Sequence, residues 1–379
     1  MYDVIIIGAG PAGATAAKIL AENGCRVLLA EKYKMPRYKS CSGQLIKKSL
    51  TLIERYFGEP VPSFTTCRPA ENRGMVFTDD LGRSFLFEQP GLNVWRSSFD
   101  AWLAQKAVAA GAKLEDGLTA ISCKQGISCK QEIAYLQGTS CLQEFSCPQE
   151  IGSKSSRKDP GMPDPVRILF QKNDGSHTEE MADYVIDCEG VTGTIMRQLT
   201  GRKPDYIITY QTFNHGSIRL DPHYFYAYLQ PELSEYDAWF NVKDDLLVLG
   251  ISVKNKNREG DYYAQFLRYM KEQHGLMIDR EEKADRWLLP RVEPGCPIHY
   301  GVGRVLFAGE TAGFLNPMGE GISAAMESAS CAATALLQHF SDPQEVLSSY
   351  QKSTEALSCY MKRQWSLVGG MAKTFSYMR

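Results

Sequence analysis

The sequence predicts an α/β composite: a Rossmann-like domain on a parallel sheet, an inserted antiparallel β-sheet domain, and a C-terminal helical segment. Three observations carry this. An apolar run, DVIII at 3–7, leads straight into the glycine-rich GAGPAG at 8–13. Strand-like blocks with turn signals recur at 62–90 and 205–300. A second glycine-rich strand-to-helix junction, RVLFAGETAGFLNPMGEGISAAM, lies at 304–326. The expected parts are a nucleotide-binding domain from 1–61, 91–204 and 301–340, a substrate-facing sheet domain from 62–90 and 205–300, and helices over 341–379.

The first unit explains itself element by element. A β-branched run such as DVIII suits a strand buried on both faces. Gly8, Gly10 and Gly13 follow at G-x-G-x-x-G spacing, with Pro11 and Ala12 between them. Gly8 allows a tight turn, Gly10 lets the backbone approach a pyrophosphate, and Gly13 lets the next helix pack closely on the strand. That helix, ATAAKILAENG, stops at Gly24, and a second strand, RVLLAE, ends in Glu31. A carboxylate there accepts hydrogen bonds from ribose hydroxyls, while the helix N-terminus attracts phosphate. The unit predicts a bound dinucleotide.

Next comes KMPRYKSCSGQL, 34–45, a loop vocabulary around Cys41. SSFDAWLAQKAVAAGA, 97–112, reads as an amphipathic helix capped by Ser97 or Ser98, with Phe99, Trp102, Leu103 and Ala107 inward. Arg96 just before it is either a surface salt-bridge partner or a contact of the cofactor. Residues 121–149 repeat Ser-Cys-x-Gln four times, from 122, 128, 140 and 146. Cys123 and Cys147 are equidistant from Tyr135, as are Cys129 and Cys141, which predicts a β-hairpin turning near Tyr135 with those cysteines cross-strand as reduced thiols. A polar linker to residue 165 follows, and 121–165 is expected to be an insertion.

The blocks at 62–90 and 205–300 read as strands of one sheet. Tyr206, Tyr210, Phe213, Tyr224, Tyr226, Tyr228, Trp239 and Phe240 make that sheet aromatic. Such a surface suits either an ordinary core or an apolar cavity for a greasy substrate.

Bulk properties exclude several classes. The 379 residues carry a net charge of −2, which offers no basic excess for nucleic acid. The chain has no apolar run near the ~20 residues that span a bilayer. Eleven scattered cysteines without a leader predict free thiols and a cytoplasmic protein. The six histidines show no ligand spacing, so no metal is expected.

The junction at 304–326 identifies the dinucleotide. A strand running into Gly309-Glu310, followed by a helix from near Gly319, brings a carboxylate and a helix N-terminus to a strand tip. An extended FAD needs such a second contact, with the carboxylate on its hydroxyls and partial positive charge near the reduced ring.

GAGPAG, KSCSGQL, NVWRSSFDAWL, ADYVIDCEGVTG and AGETAGFLNPMGEGISAAMES occur in the order of the geranylgeranyl reductase family, FAD-dependent oxidoreductases with the p-hydroxybenzoate hydroxylase fold. The chain resembles that family over its FAD-binding parts, roughly half its length. The resemblance implies that Gly8, Gly10, Pro11, Ala12, Gly13, Glu31 and Lys32 hold the ADP half, and that Arg96 and Ala120 also contact the cofactor. Gly309, Glu310, Gly319, Gly321 and Ile322 would hold the flavin half, with Lys39, Ser40, Cys41, Ser42 and Gly43 lining the ring. Two departures stand out: Glu189-Gly190 replaces the family's Asp-Gly, and Gly309-Glu310 its Gly-Asp.

The activity this implies is reduction of carbon–carbon double bonds in an apolar isoprenoid-like substrate. A monooxygenase or halogenase on the same fold, or a flavin-binding protein without catalysis, are the alternatives. Cys41 is either a catalytic proton donor or a small packing residue beside the ring. Without a second dinucleotide fingerprint, electrons are expected from transiently bound NAD(P)H or from a ferredoxin-like protein. A lipid-like substrate would bring the protein to a membrane surface without spanning it.

Overall fold

The computed structural model describes residues 1–125, 164–202, 205–290, 298–316 and 320–372. Strands β1 (Tyr2–Ile7) and β2 (Val27–Glu31) flank helix α1 (Pro11–Glu22), and both strands are parallel and buried. Proline at the first helical position costs α1 nothing, because that N–H has no intrahelical partner. Strand β9 (His177–Asp187) pairs in parallel with β1 and β16 (Val305–Phe307) in parallel with β9, and β6 (Lys113–Asp116) extends β2. The order is β15 (Gly301–Val302), β16, β9, β1, β2, β6. The carboxyl ends of β1, β2, β9 and β16 therefore open on the same rim, the usual place for a ligand in a doubly wound sheet.

Helices α1, α3 (Arg96–Ala109) and α6 (Ile322–His339) cover this sheet. Phe99, Trp102, Leu103 and Ala107 of α3 are buried as expected. Its start differs: Trp95 occupies the N-cap without a side-chain bond, and the Ser98 hydroxyl donates backward to Trp95 O and Thr65 O. The serines lie inside the first turn, so neither caps it. Helix α6 begins at Ile322, a few residues past the expected start; Gly319 falls outside the described residues.

The second sheet runs β14 (Met277–Pro290), β10 (Tyr206–Ser217), β13 (Leu246–Val253), β12 (Ala238–Lys243), β11 (Tyr224–Tyr228), β4 (Thr66–Thr78), β5 (Ser84–Val94), β3 (Gln44–Ile46). Its pairs are antiparallel except β4 with β11, where two separate sequence blocks meet in parallel. Strand β5 continues to Val94, beyond residue 90, and β3 adds an edge from the 34–45 neighbourhood.

The expectation of strands throughout 205–300 misses a helix, α5 (Glu259–His274). Tyr262, Phe266 and Met270, spaced by four, bury one stripe of it, and Gly275 ends it at φ +66°. That stripe meets Tyr226, Tyr228, Phe240, Leu249 and Ile251 on the outer face of the sheet. Burial of Phe266 alone contributes roughly 2–3 kcal/mol. Helix α2 (Lys47–Phe57) is likewise additional, packing Leu52, Ile53 and Phe57 against α3. Helices α7 (Pro343–Ser353) and α8 (Glu355–Met371) follow α6, with α4 (Thr194–Thr200) after β9.

The insertion leaves the body between β7 (Leu118–Lys124) and β8 (Val166–Lys172), an antiparallel pair with Lys124 opposite Arg167. Cys123 is buried and pairs with Ile168 across the β7–β8 ladder. The remainder of the expected hairpin about Tyr135 lies outside the described residues. Gln125, from the first repeat, accepts from Arg304 N at 3.0 Å and donates to Val302 O at 3.0 Å.

Candidate active site

One large cavity, about 740 Å³, lies where the two sheets face each other. The glycine turn forms one part of its wall. Gly8 takes φ +99°, and a Cβ there would strike Cys188 O. A Cβ on Gly13 would run into Gly8 O, which explains why helix and strand need glycine at their crossing. Gly10 differs: a Cβ would meet only Arg37 Nη2, at 3.8 Å, and would otherwise project into the open cradle. Gly8, Gly10, Pro11 and Ala12 line the cavity, as do Glu31, Lys32 and Ala120.

The buried Glu31 carboxylate accepts from Ala9 N at 3.0 Å and Tyr33 N at 3.1 Å. Arg37 stands beside it, Nε 3.5 Å from Glu31 Oε1, and gives Nη1 to Asp100 Oδ2 at 2.8 Å. Arg37 thus presents a fixed cation beside the Gly10 turn, the position a pyrophosphate requires. Neither Arg37 nor Asp100 announces itself in the sequence, since the partners come from the loop after β2 and from within α3.

Arg96 is expected to touch cofactor. It lines the cavity, but its guanidinium is gripped by Asp100, Nε–Oδ1 at 2.7 Å and Nη2–Oδ2 at 2.8 Å. Beyond that pair, the guanidinium is coupled to the Cys41 thiol by charge.

Lys39, Ser40, Cys41 and Ser42 line the middle of the cavity, whereas Gly43 does not. Gly43 is buried at φ +72° beneath the loop, against Val94 O. Burial lowers the Lys39 ammonium, with Glu310 pulling the other way, and Lys39 Nζ sits 4.6 Å above the Trp287 ring. Gln211 donates to Ser40 Oγ at 2.9 Å and to Tyr38 OH at 3.1 Å, and that hydroxyl donates in turn to Asp285. Burial and Asp285 keep Tyr38 neutral well above the usual phenol range.

Glu310, Gly321 and Ile322 line the same space from the second junction, placing the N-terminus of α6 on it. Gly309, at φ +63°, lies behind the wall, where its N–H donates to Ser328 Oγ at 3.0 Å. Glu189, the other departure, turns back to cap α4, accepting from Ile195 N at 2.9 Å. Burial raises its carboxyl and, more strongly, that of neighbouring Asp187.

Another part of the wall is apolar. Phe225, Ala227 and Leu229, with Trp239, Phe77, Tyr236 and Trp287, line it, as do Trp365 and Val368 of α8. Of the eight aromatic residues expected for a greasy cavity, Trp239 alone lines it. Tyr224, Tyr226, Tyr228 and Phe240 point to the opposite face, under α5, as period-two alternation requires.

The residues present fit FAD. A cradle that a Cβ on Gly10 would fill, a buried carboxylate at the tip of β2 and a helix N-terminus at the far junction lie along one continuous cavity.

Comparison with known proteins agrees. Residues 1–56 match the FAD binding domain model. An uncharacterized protein of Methanosarcina barkeri is 37% identical over 117 residues, 31% of this chain and 29% of its own length. Digeranylgeranylglycerophospholipid reductase 1 of Methanopyrus kandleri is 27% identical over 235 residues, 61% of this chain and 52% of the relative. The matched stretch thus covers under a third of the first relative and about half of the second. Among solved structures, a geranylgeranyl bacteriochlorophyll reductase-like protein of Thermoplasma acidophilum superposes with TM-score 0.74, at 18% identity, over 98% of this chain and 87% of that one. A mutant of halogenase PltM in complex with FAD has the same fold, with TM-score 0.64, 14% identity and coverage of 99% and 78%. The chain thus carries an FAD binding domain at its start and shares its overall fold with the Thermoplasma reductase-like protein and the FAD-bound halogenase.

Proposed function

We propose that this flavoprotein reduces carbon–carbon double bonds of an apolar, isoprenoid-like substrate. The observation that carries the reading is the join between the glycine cradle and an aromatic, largely apolar chamber, with Cys41 and Lys39 at the junction. The name of the Methanopyrus relative points to a prenyl lipid. Bound FAD would supply hydride when reduced. The chain's own residues do the rest: Gly10 and Arg37 receive the pyrophosphate, Glu31 the ribose, and the chamber excludes water and aligns the chain of the substrate. NAD(P)H or a ferredoxin-like protein would deliver electrons.

The test is anaerobic incubation of dithionite-reduced holoprotein with a polyprenyl glycerolipid, followed by mass spectrometry. A product heavier by two hydrogens per double bond is expected. Unchanged lipid without oxygen, together with an oxygenated or halogenated product in air, would overturn the reading in favour of the other chemistries on this fold.

A further inference from the structure

Lys243, at the end of β12, is 1% exposed. Its Nζ donates to Val94 O at 2.7 Å, lies 3.8 Å from Cys67 Sγ and stands 4.6 Å over the Trp95 ring. Among the described residues no carboxylate forms an ion pair with it; Asp244 instead accepts from Arg68 N and Trp95 Nε1. A buried ammonium so placed is expensive, and it needs an anion to justify its charge.

The anion is on the other side of the loop. A Cβ on Gly43 would lie 2.5 Å from Lys243 Nζ, so the ammonium sits directly behind the 41–43 turn. Within that turn the Gly43 N–H donates to Cys41 Sγ at 3.3 Å. The positive charge of Arg96 acts on the same sulfur from α3. Lys39 faces it from its own loop, with Arg37 beyond; the opposing carboxylates are Asp100, gripped by both arginines, and Glu310, which faces Lys39. Cations outnumber anions around the thiol.

We propose that Cys41 stands in the cavity wall as a thiolate, and that Lys243 is the positioning residue that, with Arg96, holds it there. The two charges depend on each other. Burial pushes the thiol up, and Arg96, the Gly43 amide and Lys243 outweigh it. Burial pulls Lys243 down, and Cys67, Cys41 and, more weakly, the neighbouring Asp244 pull it back. A resting thiolate cannot be the resting proton donor, so the acid of a reduction comes from elsewhere. What Cys41 brings is a fixed negative charge and a soft donor facing the ring, a consequence that rests on the cofactor placement given above.

The experiment is the ultraviolet thiolate absorbance of the purified holoprotein, wild type minus Cys41→Ser, across pH. The signal is expected at neutral pH and to disappear only well below the ordinary thiol value of about 8.5. Lys243→Met should move that midpoint up by about one pH unit or more, and Lys243→Arg should hold it. A wild-type midpoint at or above the ordinary value, or no change in Lys243→Met, overturns the proposal. If the Met variant does not fold, the wild-type midpoint and the Arg variant decide. A thiolate next to oxidised flavin also gives a long-wavelength charge-transfer band. Thiolate absorbance without that band supports the proposal while refuting the cofactor placement.

Discussion

Arg96 and Asp100, one turn apart on α3, form a two-toothed ion pair that is buried on both sides, and Arg37 joins it from the loop after β2. One carboxylate thereby fixes two cations at two stations of the cavity, Arg37 at the glycine turn and Arg96 at Cys41.

Asp100→Asn removes the charge that both arginines answer. Leaving the buried Arg96 guanidinium without its carboxylate, and Arg37 with Glu31 alone, should cost about 3–5 kcal/mol of stability and release flavin. Burial alone would raise the Asp100 carboxyl; Arg96 and Arg37 bring it below the usual range. Because the folded value is depressed, its stabilisation is complete above the ordinary aspartate range and fades as pH falls through the folded value. Urea unfolding at neutral pH and in acid should show the difference between wild type and variant shrinking in acid. A difference that is constant with pH would assign the loss to something other than this charge.

The three glycines of the turn should fail in different ways. Gly10→Val meets only Arg37 and fills the cradle, so soluble, colourless protein is expected. Gly13→Ala drives a methyl into Gly8 O and should lower stability or abolish folding, whatever the flavin does. Absorbance spectra and melting curves separate the two. A yellow Gly10→Val protein would remove the turn from the cofactor site.

The chamber can be narrowed without touching the cradle. Ala227 is buried in β11 with its side chain on the cavity. Ala227→Phe should keep flavin but raise the KM for a long prenyl lipid roughly tenfold, corresponding to 1–2 kcal/mol of lost fit. An unchanged KM would place the substrate elsewhere.

What the sequence makes legible is what is local. Gly8 to Glu31 is a strand, turn, helix and strand in unbroken order, and each residue's reason lies within a few positions of it. Cys41 in its loop is legible in the same way. Lys243 is not, because its surroundings come from Gly43, Cys67 and Val94, joined only by the sheet. The aromatic sheet residues show a third case. Their identity is readable, but which parity faces the cavity depends on where α5 packs, and the Tyr262–Phe266–Met270 stripe that decides it is a helical period within a strand-rich block.

The last prediction concerns the insertion. Strands β7 and β8 are held in register without it: Leu118 pairs with Lys172 and Lys124 with Arg167, and β8 is anchored to β9 from Val166 to Gln171. Gln125 and Arg304 fasten the exit point to the β15–β16 turn, and Arg304 also reaches Asp164 O and Asp183 O. The ladder therefore brings both ends of the excursion together, and a hairpin connection of a few residues can replace it. Joining Gln125 to Asp164 through Gly-Ser should leave flavin content, and a melting temperature within a few degrees of wild type. Loss of flavin from this shortened protein would mean that residues 126–163 contribute to the cofactor site. Retained flavin with lost lipid turnover would instead assign them to substrate delivery.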